Sequence, residues 1–262
     1  GSDITGEQSG DWFGKTVSIS DDGTTLAVGA GFNDGNGSNS GHVRVYKWDG
    51  SSWNQLGSDL DGEAANDYYG WSISLSADGE TVGIGTPYND GNGGGSGHVR
   101  IFNWDGSSWS QVGSDIDGEN SGDRSGNSIS ISEDGNTIAI GAENNDGGGD
   151  NSGHVRVYTW NGSAWNQVGS DIDGEATGDE ASVVSISANG KRLAIGAYYN
   201  DGNGSNSGHV RVYSWNGSAW SQLGSDIDGE AAGDRFGWSV STNALGDRVA
   251  VGAWANDGGG SD

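Results

Sequence analysis

The sequence predicts an all-β protein: a β-propeller of four-stranded antiparallel blades, with about five repeats of ~56 residues and an incomplete last blade. Three observations lead there. The phrase Gly-Ser-Asp-x-x-Gly-Glu begins at Gly1, Gly57, Gly113, Gly169 and Gly224, at spacings of 56, 56, 56 and 55. Each full copy carries four short strand-like runs rich in Val, Ile, Tyr and Trp, joined by Asp-Gly or Asn-Gly turns. The chain also has 52 glycines and a single proline, which fits many short strands and tight turns and gives helices no support.

In the first copy the expected strands are Val17–Ser20, Thr25–Ala30, His42–Trp48 and Trp53–Asp59. Alternation sets their faces: Val17 and Ile19 oppose Ser18 and Ser20, and Val43 and Val45 oppose His42, Arg44 and Tyr46. A blade between two neighbours must pack both faces, so bulky residues on one blade should meet small ones on the next. The whole chain, 1–262, reads as one domain with repeats 1–56, 57–112, 113–168, 169–223 and a partial 224–262. The last copy holds only its first two strands. Either a longer array has been cut, or a neighbouring copy completes the open blade, because an unpaired edge is a template for strand addition.

Charge excludes some functions. With 37 acids against 11 bases the net charge is −26, so nucleic acid and anionic membranes are disfavoured partners. No apolar run is long enough to span a bilayer, so no membrane insertion is expected. The absence of cysteine excludes disulfides and thiolate metal sites. The chain has no methionine and reads as a mature, cut or engineered piece whose targeting segment lies outside it, with an extracellular location, secreted or cell-surface, expected.

Phe13-Gly14, Tyr69-Gly70 and Phe236-Gly237 each precede a Ser-rich strand, and the next strand of the first two repeats ends in Val28-Gly29-Ala30 or Gly85-Thr86-Pro87. In this the chain resembles the FG-GAP repeats of integrin α-subunit heads and of many secreted microbial and algal proteins. The resemblance implies a β-propeller with roles in adhesion and in binding ligands or partners. Ser125-Gly126 and Ala181-Ser182 depart from the motif. The family's calcium loop is also missing: Asp21-Asp22-Gly23, Ala77-Asp78-Gly79, Glu133-Asp134-Gly135, Ala188-Asn189-Gly190 and Ala244-Leu245-Gly246 are ordinary hairpin turns. Calcium binding is therefore not carried over.

A different set of acids could hold calcium. Asp59, Asp61, Glu63 and Asp67 stand near-alternately beside glycine, as do Asp115, Asp117 and Glu119, Asp171 and Asp173, and Asp226 and Asp228. Calcium takes six to eight oxygens, and such spacing supplies some of them. The same acids also suit turn capping and pairing with the repeated arginines, and Thr5 breaks the pattern in the first copy. No cofactor is required by the sequence; calcium is the one its acids would accept.

His42, His98, His154 and His209 recur at one repeat position, two residues before Arg44, Arg100, Arg156 and Arg211. A group present in every full blade reads as structural, since catalysis needs a residue once. No catalytic triad or acid–base pair is readable, so a non-enzyme is expected, with a polysaccharide-active enzyme as the lesser alternative. The pairs Trp48/Trp53, Trp104/Trp109, Trp160/Trp165 and Trp215/Trp220 flank the outer turns and should pack across them.

Other aromatics differ from copy to copy: Trp12, Tyr68, Trp71 and Trp238 near the first strand, and Phe32, Tyr88, Tyr198, Tyr199 and Trp254 before the Asn-Asp-Gly loops. Side chains that vary on a regular scaffold are candidates for a ligand surface. The expected ligand is carbohydrate or protein, copies of the chain itself included. Asn36, Asn161, Asn203 and Asn216 lie in Asn-Gly-Ser sequons and are candidate glycan acceptors.

Overall fold

The computed structural model describes residues 1–258. It is a β-propeller of four complete blades and a two-stranded fifth, with no helix among the described residues. The last four positions of the repeat 224–262 lie outside the described residues.

Blade 1 comprises β1 (Thr16–Ile19), β2 (Thr25–Ala30), β3 (His42–Trp48), β4 (Trp53–Gln55) and β5 (Leu60–Asp61). Blade 2 comprises β6 (Ser72–Leu75), β7 (Thr81–Thr86), β8 (His98–Trp104), β9 (Trp109–Gln111) and β10 (Ile116–Asp117). Blade 3 comprises β11 (Ser125–Ile131), β12 (Thr137–Ala142), β13 (His154–Trp160), β14 (Trp165–Gln167) and β15 (Ile172–Asp173). Blade 4 comprises β16 (Val183–Ile186), β17 (Arg192–Ala197), β18 (His209–Trp215), β19 (Trp220–Gln222) and β20 (Ile227–Asp228), and blade 5 comprises β21 (Phe236–Thr242) and β22 (Val249–Ala253).

The outer strand differs from the sequence expectation. Instead of one run from Trp53 to Asp59, it is two pieces that both pair with β3: Tyr46 faces Gln55 and Trp48 faces Trp53, while His42 faces Asp61. Gly57 breaks the run with a left-handed φ of 78° that a larger residue would resist. The break turns the Asp59 carboxylate inward onto Arg44.

The hydrophobic core lies between blades. Val43 and Val45 of blade 1 pack with Leu75, Val82 and Ile84 of blade 2. Val99 and Ile101 pack with Ile129, Ile131, Ile138 and Ile140 of blade 3. Val155 and Val157 pack with Val184, Ile186, Leu193 and Ile195 of blade 4. Burying a side chain of this kind contributes ~1.5–3 kcal/mol, so the interfaces rather than the separate sheets hold the ring.

Polar contacts repeat at every junction. The backbone N–H of Leu75 donates to Ser18 Oγ at 2.9 Å, Ile131 to Ser74 at 3.0 Å, Ile186 to Ser130 at 3.0 Å and Thr242 to Ser185 at 2.9 Å. At the β1–β2 hairpin and its equivalents a backbone chain runs around the axis. Asp21 N–H donates to Ala77 O, Ala77 to Glu133, Glu133 to Ala188, and Ala188 to Ala244, each at 3.0 Å. A Cβ on Gly85 would collide with the Gly126 carbonyl of the next blade, so this inner contact requires glycine.

Candidate functional site

Antiparallel register puts the loop entering β1 and the β2–β3 loop at one end of each blade, opposite the β1–β2 hairpin, because Thr16 pairs with Gly29 and Ile19 with Leu26. This loop end is built on a repeated pin. Asn33, Asn89, Asn145, Asn200 and Asn256 donate from Nδ2 to Asp11, Asp67, Asp123, Asp179 and Asp234 at 2.9–3.0 Å. The Oδ1 of Asn33 also accepts from Gly35 N–H at 2.8 Å, which closes the Asn-Asp-Gly turn from within.

The residue after each pinned aspartate is left-handed in all five repeats: Trp12 (φ 56°), Tyr68 (56°), Arg124 (58°), Glu180 (52°) and Arg235 (54°). None is glycine, and this conformation costs about 1–2 kcal/mol for an ordinary residue. The surroundings impose it. Tyr68 N–H donates to Asn39 O of the preceding blade at 3.1 Å, and its carbonyl accepts from Trp71 N–H at 3.1 Å. Five side chains of four residue types are thus held out on strained backbone at one end of the propeller.

They anchor a continuous belt of side chains across the blades. Trp12 packs on Phe32 with centroids 4.3 Å apart, and Phe32 on Tyr68 at 5.0 Å. Tyr68 and Trp71 meet Tyr88 at 5.0 and 5.8 Å. Lys15 Nζ lies 3.3 Å from the Trp71 ring centroid, and burial lowers its pKa. Arg124 stacks over Tyr88 at 5.1 Å and donates to Glu143 Oε1 at 2.8 Å. Asn127 donates to Glu143 Oε2 at 2.8 Å and accepts from Trp71 Nε1 at 3.1 Å.

Beyond this polar centre, Tyr198 OH donates to Glu180 Oε2 at 2.8 Å. Burial raises the Glu180 carboxyl, and the negative charge of Glu143 adds to that rise against the Tyr198 hydrogen bond. Tyr198 packs on Tyr199 at 4.6 Å and on Trp238 at 4.7 Å, and Trp238 on Trp254 at 5.5 Å. Arg235 covers Tyr199 and Trp254 at 5.0 and 5.3 Å. Trp12, Trp238 and Trp254 are 54, 45 and 60% exposed, unusually open for tryptophan.

All nine variable aromatics named from the sequence therefore fall into this belt, as two platforms flanking a charged centre. Lys15, Arg124, Asn127, Glu143, Glu180 and Arg235 were not foreseen. The signal was present: they occupy the same repeat columns as the aromatics, but a search for rings alone passes over them.

Of the acids named as calcium candidates, Glu63 meets Asp115 and Glu119 meets Asp171, each pair beside a buried histidine, His98 or His154. Asp59 and Asp115 form paired bonds with Arg44 and Arg100 at 3.0–3.1 Å, and each accepts from Gln55 or Gln111 at 2.6 Å. Glu7 and Glu63 close on the same two guanidiniums, so Arg44 and Arg100 each sit between two carboxylates. Asp171 and Asp226 accept from Gln167 and Gln222. Asp61, Asp117, Asp173 and Asp228 lie in the short outer strands, and Asp67 holds Asn89 and the Ala64 N–H.

Each of the four repeated histidines lies within 4.8 Å of a glutamate and an aspartate, Glu119, His154 and Asp171 being one such set. In the first two blades the guanidinium already supplies the countercharge a cation would bring. In blades 3 and 4 Arg156 and Arg211 stand 3.6 Å from Glu119 and Glu175 and donate instead to the Asp117 and Asp173 carbonyls, so Asp171 and Asp226 have no guanidinium partner among the described residues.

All four sequon asparagines are exposed, and they divide by their hydrogen bonds. Asn36 and Asn203 donate from Nδ2 to Gly62 O and Gly229 O, both at 2.8 Å, and so stitch one repeat to the next. Asn161 and Asn216 stand exposed in the outer turns, where their Oδ1 atoms accept from the following Ser and Ala N–H groups.

A family model described as FG-GAP repeat matches residues 6–46, 60–102 and 115–158. No curated protein matches the chain. Among solved structures it is similar to hydrazine synthase from Kuenenia stuttgartiensis, with 16% identity over 95% of this chain and a TM-score of 0.56. The chain spans 58% of the length of that one. It is also similar to a putative 6-phosphogluconolactonase from Bacteroides uniformis, with 12% identity, 91% of this chain, 77% of the other and a TM-score of 0.51. A periplasmic gluconolactonase from Pseudomonas aeruginosa matches at 15% identity, 93% and 79% coverage and a TM-score of 0.47. At these identities the likeness is one of fold.

Proposed function

The chain belongs to the FG-GAP repeat family, and from that premise we propose that it is an extracellular, non-enzymatic binding or adhesion module that recognises carbohydrate or protein through the belt of its loop end. The observation that carries this reading is the placement of variation. Repeats that are nearly identical in their strands differ at the columns of Trp12, Lys15, Gly31 and Phe32, and these four columns form the belt. A scaffold kept constant under a varied surface is the arrangement of a recognition module. The left-handed residues at its base point the same way, because such strain persists where the surrounding structure holds it for use.

The test is an array printed with neutral glycans, uronate glycans, collagen and fibronectin. Retention lost in the triple variant Trp12→Ala/Tyr88→Ala/Trp238→Ala and kept in the outer-rim variant Asn166→Ala supports the reading. Absence of retention, or retention indifferent to the belt variant, overturns it.

One observation favours a second reading, self-assembly. Val17 and Ile19 are 59 and 55% exposed in blade 1, while their equivalents Ile129 and Ile131 are under a tenth exposed against blade 2. At the other end, Ala250 of blade 5 is exposed, while its equivalents Ala27, Ala139 and Ala194 are fully buried against the next blade. These faces are the two halves of the junction used four times inside the chain, so a neighbouring copy would meet a matching surface. Light scattering at rising concentration decides it: growth beyond the monomer mass supports assembly, and a constant monomer mass removes it.

A further inference from the structure

We propose that the belt is a binding site for a neutral oligosaccharide, with sugar rings stacked on the two aromatic platforms and hydroxyl groups held by the polar centre between them. The proposal rests on the recognition role of this face and names its ligand class.

The order of chemistry along the belt supports it. Rings come first (Trp12, Phe32, Tyr68, Tyr88), then hydrogen-bonding groups (Arg124, Glu143, Glu180), then rings again (Tyr198, Tyr199, Trp238). A pyranose presents apolar C–H faces and a hydroxyl edge, and a chain of them presents both in alternation. At the first platform a cleft of about 470 Å³ has Phe32, Tyr68, Trp71 and Tyr88 as its apolar lining, with Asn66 and Asp90 on its polar side. That size and mixture suit a small ligand fixed by a few polar groups on an aromatic floor. At the centre Glu180 spends Oε2 on Tyr198, and its Oε1 accepts no hydrogen bond among the described residues, which leaves an acceptor for a hydroxyl.

Charge selects against acidic glycans. The belt's cations are engaged within it: Lys15 on Trp71, Arg124 on Glu143 and Tyr88, Arg235 on Tyr199 and Trp254. A uronate or sulfate would approach a chain of net charge −26, which repels it.

The experiment is a tryptophan-fluorescence titration of the chain with cellohexaose, xylohexaose, mannohexaose, laminarihexaose and chitohexaose, with trigalacturonate as the acidic comparison. A saturable change with at least one neutral probe is expected and none with trigalacturonate. Tyr88→Ala should weaken the binding about tenfold and Tyr88→Phe should retain it, because the ring face and not the hydroxyl is used. Circular dichroism of each variant checks that the fold is intact. No saturable change with any neutral probe, or equal binding by Tyr88→Ala, overturns the saccharide assignment. If belt-dependent retention on collagen, fibronectin or uronate glycans then persists, the recognition face stands and only its ligand class falls; if it is absent too, both fall.

Discussion

The indole N–H of Trp165 in blade 3 donates to the carbonyl of Val112, 2.8 Å away and one repeat earlier. Trp109 makes the same bond to Leu56 O and Trp220 to Val168 O, at 2.8 and 2.9 Å. The second tryptophan of the outer pair in blades 2, 3 and 4 therefore does two things. It faces its partner across the hairpin, as Trp160 and Trp165 do at 5.5 Å, and it ties its blade to the one before.

Replacing Trp165 with Phe keeps a ring in place and removes the donor. The Val112 carbonyl then loses its partner in a half-buried junction, at a cost of about 1–2 kcal/mol. Urea denaturation of Trp165→Phe should show a lower midpoint. A midpoint equal to wild type would mean that water replaces the indole without loss.

The buried histidines make the fold acid-sensitive. Burial, reinforced by the positive charge of Arg156, lowers the His154 pKa from 6.5 to about 4. The same causes lower His209, and also His42, although Asp59 opposes them there. A histidine neutral in the fold and protonated when unfolded binds more protons in the unfolded state, so stability falls as pH drops below 6.5 and the loss is complete near 4. For His154 this is about 2 kcal/mol by pH 5. Melting temperature measured from pH 7.5 to 4.5 should fall through this window, and His154→Gln should flatten part of the slope. A flat profile would contradict the assigned burial.

Calcium chelation should leave stability unchanged. Burial pushes the Asp115 carboxyl up, but hydrogen bonds from Arg100 and Gln111 and the Arg100 charge outweigh it and hold the group below the usual carboxylate range. An acid already satisfied by a guanidinium gains little from a cation. EDTA should shift the melting temperature by less than about 2 °C. A larger fall, restored by calcium, would show that these acids ligate metal after all.

The repeat, blade count and core faces were legible from the sequence because periodicity alone encodes them: Val43 and Val45 had to face a neighbour once four strands recurred at one spacing. The split of the outer strand was not legible. The run from Trp53 to Asp59 is broken by a backbone turn at Gly57 and by a side-chain bond from Arg44 that closes only in three dimensions. In the belt, the aromatic half stood out by residue type. The charged half did not, since Glu143 and Glu180 are 2 of 37 acids and acquire meaning only when Arg124 and Tyr198 are brought beside them.

The four sequons should not be used alike. In a glycosylating host, glycopeptide mass spectrometry should find occupancy at Asn161 and Asn216, whose outer turns are exposed. Asn36 and Asn203 should be bare once folded, because their Nδ2 atoms are spent on Gly62 O and Gly229 O. Occupancy at Asn36 would mean that the glycan is added before that loop closes.

The left-handed position gives the last test. At Trp12 the backbone has φ 56° and the indole is 54% exposed, so most of the ring's packing is against Phe32. Trp12→Ala and Trp12→Gly remove that packing equally. They differ in the backbone: alanine keeps the left-handed strain of about 1–2 kcal/mol, while glycine relieves it. Glycine gives back part of the gain through a more flexible unfolded chain, ~0.5–1 kcal/mol. Trp12→Gly should therefore be the more stable of the two by about 1 kcal/mol in urea denaturation. If alanine is equal or better, the conformation at Trp12 costs the fold little, and the case that this column is held in strain for recognition loses its energetic basis.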